Sequence, residues 1–224
     1  MARQPASGLP ADAGPRLVIR ALAPDELGAA AAVLAEGMLD NPLHVRAFGI
    51  DAQRRRQRLQ RFLGPLLGHV HSNGTLLGAC VHGELVGVLG VMKPGRCRPA
   101  RRGILRMAGA IIVGNPPLGS MRIHRWLSAW ARNDPRAPHV HIGPLAVLPP
   151  WRRQGVARRL MQRCCWRLDA LREVGWLETD LAINVAFYKT LGFAVVRHEP
   201  VLGVPNWFMR REPGASEPFP ASGK

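Results

Sequence analysis

The stretch Leu145-Ala146-Val147-Leu148-Pro149-Pro150-Trp151-Arg152-Arg153-Gln154-Gly155-Val156-Ala157 narrows the fold more than any other part of this chain. An apolar strand-like run ends in two prolines, which cannot continue a sheet ladder. An arginine turn follows, and Gly155 with small residues then opens an amphipathic helical pattern over Gln154–Val174. The first N–H groups of a helix have no partner inside it, and the helix dipole adds partial positive charge there, so such an end holds phosphate groups. Gly155 allows close approach, Val156 and Ala157 keep the next positions small, and Arg152, Arg153 and Arg158 supply positive charge beside Gln154. The spacing is neither the lysine-containing P-loop nor the three-glycine dinucleotide fingerprint. An arginine-capped surface turn is the plainer alternative.

The rest of the chain places this turn in a mixed α/β sheet. Leu17–Leu22 reads as a strand, and Pro24-Asp25-Glu26 opens a helix that runs to Met38 and stops before Asn41-Pro42. Ala52–Val70 carries Leu59, Phe62, Leu63 and Leu66 at helical spacing. Thr75–Val81 and Leu85–Met92 form a hairpin pattern around His82-Gly83-Glu84. Arg98–Ala131 is helix and loop, broken at Asn115-Pro116-Pro117. Val140–Val147 is a strand, Trp176–Thr179 a short buried one, Ile183–Leu191 a helix stopped by Gly192, and Phe193–Arg197 and Trp207–Arg211 two closing strands. Consecutive strands followed by alternating helices and strands indicate a mixed sheet rather than a purely parallel one. No repeat or linker divides the chain, so residues 16–211 are expected to form one domain, with disordered ends at 1–15 and 212–224.

Charge is the second constraint. The chain of 224 residues carries a net charge of +16, almost all from arginine, since lysine occurs only at Lys93, Lys189 and Lys224. Between Lys93 and Arg136 ten basic residues meet the single acid Asp134, and Arg152–Arg167 adds six arginines with no acid. A further cluster, Arg54, Arg55, Arg56, Arg58 and Arg61, is offset by acids elsewhere and reads as a solvated basic face. Such charge suits an anionic partner: nucleic acid, a phosphorylated ligand or a membrane surface. No helix-turn-helix or RNA-binding signature accompanies it, so nucleic acid is the disfavoured choice. No apolar run is long enough to span a membrane, and the N-terminus lacks the order of a secretory signal. Cys80, Cys97, Cys164 and Cys165 have neither disulfide-scaffold nor metal-site spacing, which implies reduced thiols, a cytoplasmic setting and no metal.

In Arg152, Gly155 and Ala157 the chain resembles the GCN5-related N-acetyltransferases, whose signature loop is Arg/Gln-x-x-Gly-x-Gly/Ala between a strand and a long helix. About thirty residues on, Asn184-Val185-Ala186-Phe187-Tyr188-Lys189-Thr190-Leu191-Gly192-Phe193 is similar to the next motif of that family. The likeness extends from His139 to Arg211 and is nearest to a bacterial branch. Arg153 and Gln154 depart from the small residues that are usual in the loop. The resemblance implies a central, mostly antiparallel sheet flanked by helices and splayed between its fourth and fifth strands. It implies acetyl-CoA as cofactor, with pyrophosphate on Arg152–Ala157 and the pantetheine arm along Leu145, Ala146 and Val147, and acetyl transfer to an amine of a small molecule or peptide. It leaves room for a homodimer.

Such chemistry needs a base for the amine proton, a donor for the thioester oxygen and an acid for the leaving sulfur. Tyr188, the only tyrosine, falls where the family places that acid; packing in the core is the alternative. Asn184, with Phe187 beside the cofactor, is expected to contact the coenzyme or to cap its own helix. His139 and His141 alternate on one face of the strand entering the cleft. His141 is the favoured base, with Glu178, Asp180 or an ordered water as rivals, and His139 is assigned to the acceptor side. By the resemblance, the loop Asp40–Phe48 borders the acceptor through Asn41, His44 and Phe48. A member that binds acyl-CoA without turnover, or a basic nucleic-acid module, are the competing functions.

Overall fold

The computed structural model describes residues 17–99 and 101–214. Residues 1–16 and 215–224 lie outside the described residues, and so do the ends expected to be disordered, 1–15 and 212–224, apart from 212–214. Strand β1 (Leu17–Ala21) and a single 3-10 turn at Pro24–Glu26 lead into α1 (Leu27–Gly37), α2 (Pro42–Phe48) and α3 (Ala52–Asn73). The hairpin β2 (Gly74–Val81) and β3 (Glu84–Met92) precedes α4 (Arg101–Gly114) and α5 (Pro117–Asn133). Then come β4 (Val140–Val147), α6 (Val156–Leu171), β5 (Gly175–Thr179), α7 (Ala182–Lys189), β6 (Ala194–Val201) and β7 (Val204–Arg211).

The seven strands form one sheet in the order β1-β2-β3-β4-β5-β7-β6. Every neighbouring pair is antiparallel except β4 and β5, which run parallel. The sheet is covered on both faces, and alternation along the strands divides the core in two. Val88 and Ala146 face the side packed by α1, α3 and α5, while Leu89 and Val147 face the side packed by α6 and α7. On the first side Phe48, Phe62 and Trp126 pack ring against ring, with centroids 5.6 to 6.2 Å apart.

Three elements differ from the sequence reading. The expected loop Asp40–Phe48 folds into α2: Pro42 sits at its first position, where the missing N–H costs nothing, and Gly49 (φ +105°) ends it. Helix α6 starts at Val156 because Gly155 is left-handed (φ +80°) and serves as its N-cap. The basic cluster in α3 is not uniformly solvated. Arg55 is buried, donating through Nε to the Leu39 carbonyl at 2.6 Å, through Nη1 to those of Gly49 and Ile50, and through Nη2 to Asp40 at 3.0 Å.

Candidate functional site

Strands β4 and β5 pair only at Val140 with Gly175 and His141 with Trp176. Beyond His141, β4 stays with β3 through Leu145, Ala146 and Val147, while β5 stays with β7 through Leu177 and Glu178. The register of β3 against β4 shifts between Leu89 and Val91, opposite Gly143 and Pro144. A Cβ on Gly90 would run into the Gly143 carbonyl oxygen, so the two backbones approach closely here. Bulges bend the strand that carries them, and β4 parts from β5 at this point. The β4 edge from Ile142 to Val147 thus faces a gap instead of a strand, and main-chain polar groups on such an edge require partners.

A cavity of about 740 Å³ opens in this gap. Its inner wall carries His141 and Leu145 from β4, Glu178 and Asp180 from β5 and the loop after it, and Asn184 and Tyr188 from α7. Its outer wall is built by the arginine-rich insert: Met107 and Ile111 of α4, with Trp126 and Trp130 of α5, face inward. The arginines of these helices left the cover unannounced, since only the helical spacing of the apolar residues between them signals it.

The turn before α6 is partly self-satisfied. Arg152 donates to the Gly37 carbonyl at 2.8 Å and to that of Val147 at 3.3 Å, while Gln154 donates to the Pro150 carbonyl at 2.7 Å. Arg153 and Arg158 are exposed, and Arg158 lies over the Phe187 ring at 5.8 Å. Val156 and Ala157 pack into the core beneath the turn. Leu145 lines the cavity, whereas the Ala146 and Val147 side chains are in the core and only their backbone adjoins the splay.

Tyr188 is buried, its ring against Phe187 and Phe193, and it borders the cavity. Burial raises its phenol above the ordinary value, and the charge of Asp180 adds to the rise. Asn184 does not cap its helix. The N-cap is Leu181, and the Asn184 amide donates to Thr179 Oγ1 at 3.2 Å. Asp180 accepts from the Leu43 N–H at 2.8 Å and from the Asn41 amide at 3.5 Å, which ties the start of α2 to the end of β5.

On the acceptor side the expectations divide. Asn41 and His44 line the cavity. His44 sits 3.0 Å from the Met38 carbonyl, and burial holds its imidazole below the ordinary value. The structure places Phe48 in the core: it is 1% exposed, packed against Phe62 and Trp126, and is not among the residues lining the cavity. His139 is likewise buried and outside that lining.

His139 and His141 do come together, with two residues that no motif singled out. Their donor atoms and those of Cys97 and Asp134 all lie within 4.8 Å of one another. His139 Nε2 is 3.0 Å from Asp134 Oδ1 and 3.6 Å from Cys97 Sγ. His141 Nε2 is 3.3 Å from Glu178, and its Nδ1, 3.7 Å from Asp134 Oδ1, is buried without a hydrogen bond. Burial alone would push the Cys97 thiol up, but the two imidazoles outweigh it and bring it down to about 7. Burial likewise opposes charge on His139, yet Asp134 and Cys97 raise it to about 10. Chain separation hides this cluster from any spacing rule.

The model of the Acetyltransferase (GNAT) family matches residues 41–193. Among solved structures, one described as histone acetyltransferase HPA2 and related acetyltransferase, from Corynebacterium glutamicum, superposes with a TM-score of 0.67 at 20% identity, covering 88% of this chain and 97% of that one. An agmatine N-acetyltransferase gives 0.56 at 15% identity over 88% and 99% of the two chains. The ribosomal-protein-S18-alanine N-acetyltransferase of Escherichia coli gives 0.53 at 13% over 93% and 100%. A search of curated protein sequences found no match. No helix among the described residues is long and apolar enough to cross a membrane.

Proposed function

The chain belongs to the Acetyltransferase (GNAT) family, and from that premise we propose that it transfers the acetyl group of acetyl-CoA to an amine carried on a largely apolar body. The observation that carries this reading is the cavity at the β4–β5 splay, whose inner wall brings Tyr188 together with the unpaired β4 edge. That edge offers main-chain groups to an extended amide-bearing arm, as a strand would. The first turn of α6 and the exposed Arg153 and Arg158 offer N–H groups and positive charge to phosphates.

Acetyl-CoA supplies a thioester whose carbonyl carbon takes the amine nitrogen as the C–S bond breaks. Tyr188 holds the proton that the departing sulfur needs, and its burial keeps the phenol protonated. Asp180 is the group we assign to the amine proton, directly or through water. It lines the cavity, and its hydrogen bonds to Leu43 and Asn41 fix its orientation. His141, the base favoured on sequence grounds, has one nitrogen toward Glu178 and the other toward Asp134, so it is less available. The apolar wall of α4 and α5 suits the body of the acceptor and excludes water from the reacting amine.

Calorimetry with acetyl-CoA, followed by thiol release on a panel of amines graded in apolar size, tests the reading. Saturable binding and turnover that improves with apolar size are expected. Absence of binding at millimolar ligand removes the proposal.

A further inference from the structure

We propose that Cys97, Asp134, His139 and His141 form a zinc site that closes the base of the α4–α5 insert. The proposal stands on atom positions and on donor chemistry, independently of the acetyl-transfer reading. Zinc bonds of about 2.0–2.3 Å in a tetrahedron set ligand atoms about 3.3–3.6 Å apart. Here Cys97 Sγ to His139 Nε2 is 3.6 Å, His139 Nε2 to Asp134 Oδ1 is 3.0 Å, and Asp134 Oδ1 to His141 Nδ1 is 3.7 Å.

The imidazoles are oriented for a metal. His139 Nδ1 is 2.9 Å from the Ala137 carbonyl, an acceptor only, so this nitrogen keeps its N–H, and Nε2, beside Asp134 and Cys97, is the one that gives up its proton to a bound cation. His141 Nε2 lies 3.3 Å from the Glu178 carboxylate, which leaves Nδ1, 3.7 Å from Asp134 Oδ1, as its nitrogen within the cluster. Glu178 is itself held by the Trp176 indole N–H at 2.7 Å. A carboxylate or backbone carbonyl on the far nitrogen of each histidine is the usual support of a metal-bound imidazole. His141 Nδ1 is buried without a hydrogen-bond partner among these four residues, and a divalent cation would answer all four donors.

One thiolate, two imidazoles and one carboxylate select zinc over magnesium or calcium, which prefer all-oxygen shells. Four protein ligands make a closed, structural site. Its place in the fold fits that role. Cys97 follows β3 and Asp134 caps α5, so these two ligands bracket the insert, while His139 and His141 lie just before and within the start of β4, where it still pairs with β5. The ion would pin both ends of the cavity's outer wall to the central sheet. The other cysteines do not compete: Cys80, Cys164 and Cys165 are buried and lie outside the cluster.

The test uses the full chain, stripped with a chelator and kept reduced. It is titrated with Zn²⁺ against a chromophoric chelator and separately with Co²⁺ as a spectroscopic probe. The expected result is one ion per chain, a Zn²⁺-dependent rise in Tm, and a Co²⁺ spectrum with a thiolate charge-transfer band and tetrahedral d–d bands. Cys97→Ala should abolish the charge-transfer band, and Glu178→Gln should weaken Zn²⁺ binding by about 10- to 100-fold. The Co²⁺ spectrum of the unaltered chain needs no variant, so misfolding of Cys97→Ala, followed by circular dichroism, does not compromise the test. Absence of saturable Zn²⁺ binding, a Co²⁺ spectrum without a thiolate band, or wild-type affinity in a folded Cys97→Ala overturns the proposal.

Discussion

Arg55 Nε donates to the carbonyl oxygen of Leu39 at 2.6 Å, across the break between α1 and α2. With the carbonyls of Gly49 and Ile50 on the same guanidinium, one buried side chain fastens both ends of the helix that presents His44 and the Asn41 that precedes it to the cavity. Lysine cannot reproduce this fan of donors, because its ammonium lacks the planar fork. Arg55→Lys should therefore destabilise the chain, by about 2–4 kcal/mol given several buried carbonyls losing a charged donor. Arg54→Lys, one residue away and exposed, should change stability by less than about 0.5 kcal/mol. Urea unfolding of the pair of variants measures the contrast; equal midpoints would show that Arg55 is not the fastening.

Tyr188→Phe keeps the ring contacts with Phe187 and Phe193 and removes only the hydroxyl. Turnover should fall by about 100-fold, the scale of a lost general acid, with acetyl-CoA affinity nearly unchanged. Because burial raises the phenol, its loss of a proton lies above the ordinary value of about 10. The acid stays in its protonated form as pH rises, so the wild-type rate should show no decline from this group below pH about 10. A Phe variant that turns over as fast as the wild type would remove Tyr188 from the role, and a wild-type fall of kcat well below pH about 10 that the Phe variant lacks would show a phenol that burial does not raise.

Ala108 on α4 lines the cavity beside Met107 and Ile111. Ala108→Trp places a large ring in that space without touching the turn at Arg152–Ala157. The KM for the best amine should rise at least about tenfold, a cost of about 1.4 kcal/mol or more in acceptor binding, while the calorimetric affinity for acetyl-CoA is preserved. If both ligands weaken together, the insert does not serve as the acceptor wall.

The parts of this protein that were legible in its sequence are those set by short-range rules. Arg152, Gly155 and Ala157 mark a strand-to-helix turn, although the left-handed Gly155 delays the start of α6 to Val156, a detail the spacing does not carry. Leu59, Phe62 and Leu63 of α3 are buried, as their helical spacing requires. What stayed hidden depends on partners distant in the chain. Nothing in Arg54-Arg55-Arg56 tells which one turns inward, because the carbonyls that receive Arg55 belong to other segments. Cys97 lies 42 positions from His139, so no local pattern joins them; only the antiparallel pairing of β3 with β4 brings the start of the insert back to its end. The resemblance assigns Phe48 to the acceptor along with Asn41 and His44; one helical turn beyond His44 on the same face of α2, its ring continues past the cavity into the aromatic core of Phe62 and Trp126.

Asp169 on α6 receives both Nη groups of Arg211 from β7, at 2.6 and 2.8 Å, and the Gly214 N–H at 2.6 Å. The guanidinium, foremost, and then the N–H hold this carboxyl below its ordinary value despite partial burial. A carboxylate whose folded value is depressed contributes its full stabilisation above the unfolded value of about 3.9 and loses it as pH falls through the lower folded value. Asp169→Asn should thus cost about 1.5–3 kcal/mol near neutrality, the scale of hydrogen bonds to a charged group. The difference between variant and wild type should shrink as pH drops below about 4. Urea midpoints compared between neutral and strongly acidic buffer measure this. A gap that persists unchanged in acid would mean that the asparagine disturbs the α6–β7 packing and that the ionised carboxylate is not what holds Gly214 and Arg211 in place.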